Sequence, residues 1–137
     1  MKISAHVHNR RNDHRVTLRT DDHSHALHIS PRPTGFGSSA NGGELLFLAV
    51  ATCCCNDIYR EASKRGIEVE GVDVEVEGER AEGTPARNVL YRAKVTARAS
   101  PEAIQKLMRD TDQVAEIHNS LRVATPITLS RAEAMAV

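Results

Sequence analysis

The sequence predicts an α+β fold on three observations. Short runs near both ends alternate polar and apolar residues, one long apolar segment between them has no alternation, and a later segment carries apolar residues at helical spacing. The predicted order is βββ-α-ββ-α-β within a single domain of 137 residues. It divides into an N-terminal meander over 1–30, a Gly/Pro/Ser loop over 31–43, a central helix over 44–65 and a ββ-α-β region over 66–137.

Each element has its own signal. Ile3, Ala5 and Val7 alternate with Ser4, His6 and His8, and Val16 and Leu18 alternate with Arg15, Thr17 and Arg19. Ala26 and His28 then alternate with Leu27 and Ile29, which gives three short strands with turns near Asn9 to Asp13 and at Asp21-Asp22. Pro31, Pro33, Gly35, Gly37, Gly42 and Gly43 crowd the next stretch, where no period is sustained. From Glu44 to Arg65 the chain reads as helix, with Asn41 as N-cap, Glu44 in the first turn, Lys64 and Arg65 in the last, and Gly66 closing it. Leu45 through Cys55 is apolar on every face, so this half is expected to be enclosed, while the half from Asn56 is expected to reach solvent. Val69, Val72, Val74 and Val76 against Asp73 and Glu75 give a strand bent at Gly71, followed by a turn at Glu82 to Pro85. Val89 to Arg98 forms its hairpin companion, whose Lys/Arg face opposes the Asp/Glu face of the first strand. Ser100 as N-cap, Pro101, and the stripe Ile104, Leu107, Met108, Thr111 and Val114 predict a second helix ending near His118-Asn119, and Pro126 to Leu129 predict a last short strand.

Charge and composition exclude several classes. Eighteen Lys and Arg balance eighteen Asp and Glu, so no basic field draws the chain to nucleic acid or to a membrane surface. No run approaches the roughly 20 apolar residues of a membrane span, and no basic segment followed by an apolar one opens the chain, so a cytoplasmic location is expected. Aromatic residues make up 3% with no Trp, leaving a thin aliphatic core that a partner chain is expected to complete.

Cys53, Cys54 and Cys55 are consecutive and cannot staple distant segments together. They are either core filler or reactive thiols, and helical geometry spreads the three sulfurs about 100° apart, which aims at least one of them at a groove. Reaction with an electrophile needs a thiolate, and Cys53 lies too far inside the helix for the dipole to supply one. A cation from elsewhere is required, and Arg10, Arg11, Arg15, Arg19, Arg32 and Arg122 are the candidates. His6/His8 and His23/His25 have the i,i+2 spacing of strand residues that share a face. Without a second closed ligand pair they read as solvated, and no metal or cofactor is expected. His118 is expected to balance the C-terminus of the second helix.

The segments SSANGGELLFLAVATC, GIEVEGVDVEVEGE and HNSLRVATPITL, in this order, resemble the OsmC/Ohr superfamily of osmotically inducible and organic-hydroperoxide-resistance proteins, over roughly Gly35 to Leu129. The resemblance implies an intertwined homodimer in which antiparallel sheets of both chains wrap around a central buried helix. It implies a peroxidatic cysteine at Cys53, oxidised by an organic hydroperoxide to a sulfenic acid. The position matching the family's resolving cysteine is Ala115, and the family's glutamate falls on Gly43 with Glu44 one step later. The family's arginine falls in HNRRNDHR, where Arg10, Arg11 and Arg15 all qualify. The expected catalytic set is therefore Cys53, Glu44 and one of these arginines, represented by Arg15. With no resolving cysteine, an external thiol is the expected reductant. The alternative is a protein of the same fold that binds a small apolar or electrophilic ligand at the dimer interface without turning it over.

Overall fold

The alternation of the first thirty residues becomes a three-stranded antiparallel sheet of β1 (Ile3–Arg10), β2 (Asp13–Thr20) and β3 (His23–Ala26), in that spatial order. The computed structural model describes residues 1–137, and the chain divides into two compact units, Met1–Leu46 and Phe47–Val137. In the first unit β1 pairs with β2 from Ile3↔Thr20 to Arg10↔Asp13. The predicted third strand is shifted, since pairing stops at Ala26 and Leu27 to Ser30 are not strand. The Gly-rich segment is pinned by Asn9, whose Nδ2 donates to Gly37 O (3.2 Å) while Gly37 N donates to Asn9 Oδ1 (3.0 Å). Val16 is the one buried apolar residue of this unit, and Ile3 and Val7 lie more than half exposed.

The long helix forms as predicted, as α1 (Gly42–Lys64). Asn41 and Glu44 cap it reciprocally: Glu44 N donates to Asn41 Oδ1 (2.8 Å) and Asn41 N to Glu44 Oε1 (3.0 Å). Gly66, at φ +65°, ends it in the left-handed region, with Ile67 N returning to Ala62 O (3.0 Å).

In the second unit β4 (Glu68–Glu79) and β5 (Arg87–Arg98) form the expected hairpin, with register shifts between Val69 and Gly71 and between Glu77 and Glu79. The charge match holds across it, with Arg92 on Glu77 (3.0 Å) and Arg98 on Glu70 (2.9 Å). The second shift has a packing reason, because a Cβ at Gly78 would sit 2.8 Å from the Phe47 ring. Helix α2 (Pro101–Val114) starts at Ser100, whose Oγ accepts from Ala103 N (3.1 Å), a cap worth about 1 kcal/mol. Cys54, Ile58, Ala62 and Leu107 form the core, with Ile67, Val69, Val72, Val74, Tyr91, Ala93 and Val95 packed against it.

Three expectations need correction. The second helix does not run to His118: Ala115 turns extended (ψ 111°), and a separate α3 (Glu116–Arg122) follows. The break is stable because α3 side chains take carbonyls freed at the end of α2. Asn119 Nδ2 donates to Gln113 O (2.9 Å) and Arg122 Nη1 to Asp112 O (3.0 Å). The final strand at Pro126 to Leu129 does not form, since the segment finds no strand to pair with in this chain, and Ile127 is almost fully exposed. The burial of α1 also departs from the expectation in part: Val50 and Cys54 in the apolar half are buried and Tyr59, Arg60 and Lys64 in the polar half reach solvent, as expected, but each half also holds the opposite. Its polar half is buried at Asp57, Ile58, Glu61 and Ala62, under α2 and the hairpin, whereas Leu48 in the apolar half is 54% exposed. No helix is long and apolar enough to cross a membrane.

Candidate functional site

Three successive cysteines on one helix meet three environments. Cys54 faces the core, 3% exposed, while Cys53 and Cys55 are half-buried. Burial pushes the Cys54 thiol up to about 11, so it is a neutral packing group at physiological pH. Burial also raises the Cys53 thiol above its ordinary value, and the carboxylates of Asp57 and Glu116 add to that, while the backbone N–H of Ile117 opposes them.

The surroundings of Cys53 follow from helical spacing and from the break at Ala115. Asp57 lies four residues on, one turn along the same face, and its Oδ2 accepts from Cys53 Sγ at 3.3 Å. Its other oxygen, Oδ1, is 3.1 Å from Arg60 Nη1. The same Nη1 donates to Glu116 Oε1 (2.9 Å), so Arg60 ties α1 to the first turn of α3. Asp57 is 5% exposed. Burial and the neighbouring Glu116 carboxyl raise its pKa, while Glu116, exposed and held by its own backbone N–H, by Asp57 and by Arg60, is lowered. The two acids thus divide their proton affinity unequally, the buried one holding a proton more readily.

Cys53, Asp57 and Glu116 place their ligand atoms within 4.8 Å of one another, a sulfur and two carboxylates of the kind that binds a divalent ion. Arg60 already bridges the two carboxylates, however, so the cation that balances them is a guanidinium. No other group of three or more His, Cys, Asp or Glu side chains converges in this way. The pairing register puts His6 and His8 on one face of the first sheet and His23 and His25 on the other. His118 does not serve as a helix cap. It is buried in α3 with its ring edge-on to Tyr91 (centroids 4.7 Å apart) and both ring nitrogens without a protein partner, and burial keeps it neutral. Beside it the Tyr91 hydroxyl donates to Asp112, which Arg122 holds at 2.7 Å.

Of the residues expected at the site, Cys53 sits in the cluster just described. Glu44 serves the α1 cap, where both its backbone N–H and its carboxylate are engaged with Asn41. Arg15 lies on β2, paired with Asp13 (3.2 Å) and 76% exposed. Arg19 and Arg32 donate to the backbone carbonyls of Asp21 and Ser38, and Arg122 pairs with Asp112. Ala115 is buried, and the residue whose backbone faces the Cys53 sulfur is Ile117, so neither position offers a second sulfur. Sequence reasoning missed Asp57, Arg60 and Glu116. The i,i+4 spacing of Cys53 and Asp57 signals the first; Glu116 depends on the helix break and has no local signal.

A cleft of about 390 Å3 opens on the Cys54 side, lined by Cys54, Ile58, Tyr91, Met108, Arg109 and Asp112 among others. Its lining mixes the apolar Ile58, Ala93 and Met108 with the polar Gln105, Arg109 and Asp112, a combination suited to a small amphipathic molecule.

Comparison with known proteins places these features in context. The family model described as OsmC-like protein matches residues 35–130. Among solved structures, the OsmC-like protein from Mycoplasma pneumoniae is similar at 19% identity, over 88% of this chain and 86% of that one, with a TM-score of 0.61. An OsmC-like protein of unknown function from Vibrio cholerae matches at 17% identity over 88% and 93%, with a TM-score of 0.59. An organic hydroperoxide resistance protein OsmC from Legionella pneumophila matches at 22% identity over 89% and 90%, with a TM-score of 0.58. No curated protein matches in sequence.

Proposed function

The chain belongs to the OsmC-like family, and we propose that it is a thiol-dependent reductase of organic hydroperoxides in which Cys53 is the reacting sulfur. The observation that carries this reading is the state of Cys53: half-buried, and hydrogen-bonded through Sγ to a buried carboxylate, whereas Cys54 is sealed in the core. The sulfur attacks the terminal peroxide oxygen and becomes a sulfenic acid while the alkoxide leaves as an alcohol. With no second sulfur opposite Cys53, two equivalents of an external thiol regenerate it, releasing a disulfide and water. A neighbour of the same fold is itself named an organic hydroperoxide resistance protein, which agrees with this substrate class.

The working unit in this reading is a homodimer. Exposed Ile3, Val7 and Leu48 support a second copy covering them, as does the small number of buried apolar residues in the first unit. Sedimentation at micromolar concentration is expected to give twice the monomer mass.

The test is direct. Treatment with an organic hydroperoxide and a dimedone-type trap is expected to add one trap mass at Cys53 in the wild type and none in Cys53→Ala. Lack of an adduct on the wild type refutes the reading. The cleft beside Cys54 favours a second one, ligand binding without turnover, for which saturable binding of an amphipathic ligand without oxidation is the signature.

A further inference from the structure

Within its own unit the Cys53 sulfur is met by two acids, Asp57 and Glu116. The contact with Asp57 offers the thiol proton a route through the cluster. Asp57 offers its two oxygens to two partners: Oδ1 to Arg60 at 3.1 Å and Oδ2 to the Cys53 thiol at 3.3 Å. With the thiol protonated, the charges are one guanidinium against two carboxylates. Losing the thiol proton to water would put a second uncompensated negative charge into a half-buried site, whereas passing it to Asp57 leaves the total unchanged.

We propose that Asp57 is a catalytic residue that relays this proton, taking it from Cys53 as the S–O bond forms and delivering it to the alkoxide as the O–O bond breaks. The inference rests on the hydroperoxide reading above. The balance closes within the site: Cys53–SH and R–OOH give Cys53–SOH and R–OH. Sulfur is oxidised by two electrons, the peroxide is reduced, and the proton that leaves the thiol ends on the alcohol. Glu116 on α3 and burial make Asp57 able to hold the proton between the two transfers, and Arg60 keeps the aspartate oriented. Of the other titratable groups beside the cluster, Cys54 is kept a neutral thiol by burial, and burial lowers the proton affinity of His118 on α3.

Two reactions of Cys53 separate a relay from a simple charge effect. Alkylation by iodoacetamide expels iodide, which needs no proton, whereas hydroperoxide oxidation expels an alkoxide, which does. Both consume the same thiolate, so the ratio of their rates cancels the thiol's pKa. In Asp57→Asn the ratio of oxidation by cumene hydroperoxide to alkylation is expected to fall about 100-fold, within the range of general acid–base catalysis. Modified Cys53 is located by fragment mass, and circular dichroism checks that the helices persist. Parallel changes in the two rates overturn the relay and leave Asp57 as an electrostatic neighbour only. Should Asp57→Asn fail to fold, Glu116→Gln, at an exposed side chain, decides. Removing that charge lowers the proton affinity of Asp57 and of the Cys53 thiol alike, so the profile is read on the oxidation-to-alkylation ratio, in which the thiol's ionisation cancels, and the limb where that ratio falls with rising pH is expected to move to lower pH. An unmoved limb overturns the relay. A wild-type protein that alkylates at Cys53 and is never oxidised there overturns the hydroperoxide reading itself, and the relay with it.

Discussion

Asp57 and Glu61 stand one turn apart on α1, both buried, and their surroundings push them in opposite directions. Glu61 is ringed by cations, with Lys64 at 3.0 Å, Arg60 at 3.2 Å and Arg65 at 3.5 Å, and Lys64 leads in lowering its pKa. Asp57 shares the single cation Arg60 with Glu116 and turns its free oxygen to a thiol, and burial raises it. The same chemical group is thus pushed toward its charged form at one position and toward its protonated form at the next turn. Burial of a carboxylate does not by itself mark a functional acid; the number of cations that meet it decides.

The sharpest way to break the comparison is to neutralise each acid in turn. Asp57→Asn is expected to cut hydroperoxide oxidation relative to alkylation about 100-fold, while Glu61→Gln leaves that ratio unchanged. Equal effects would erase the distinction. The next largest difference is in stability against pH, where the signs oppose. Glu61 has a lowered folded pKa, so its stabilisation is present above the unfolded carboxylate value, about 4.3, and is lost as pH falls through the folded one. Asp57 has a raised folded pKa, so its contribution is full below the unfolded value, about 3.9, and is lost as pH rises through the folded one. The Tm deficit of Glu61→Gln relative to wild type is therefore expected to shrink on going from pH 7 to about pH 3. The deficit of Asp57→Asn is expected to grow over the same range, as differential scanning calorimetry would record.

This contrast explains why the site was half legible in the sequence. The run of three thiols on an apolar helix segment is chemically conspicuous, though only the family resemblance picked Cys53 among them, and the capping of α1 by Asn41, Glu44 and Gly66 could be read because caps are local. The hairpin was legible for the same reason, its charges and the irregularity just before Gly71 being set by period and punctuation. What could not be read depended on chain direction beyond the local pattern. The apolar stripe of α2 runs smoothly into Ile117, and nothing local announces that Ala115 will turn extended. Glu116 reaches Arg60 and Asp57 only because of that turn. The strand expected at Pro126 to Leu129 failed for a related reason: β-structure needs a neighbour to pair with, which alternation alone does not supply.

The smallest expected effect tests the residue the two acids share. Arg60 lies 3.1 Å from Asp57 and 3.2 Å from Glu61, so removing its charge touches both at once. Glu61 keeps Lys64 and Arg65, and its environment remains cationic. Asp57 keeps none, and the two carboxylates of the cluster then face each other without a bridge. In Arg60→Gln the acid limb of Cys53 oxidation is therefore expected to move to higher pH by less than about one unit, since a largely exposed guanidinium is well screened. The pH dependence of stability assigned to Glu61 should change little. A shift of the oxidation limb to lower pH would mean that Arg60 does not act on Asp57 as the cation of the cluster, and the asymmetry between the two turns of α1 would need another source.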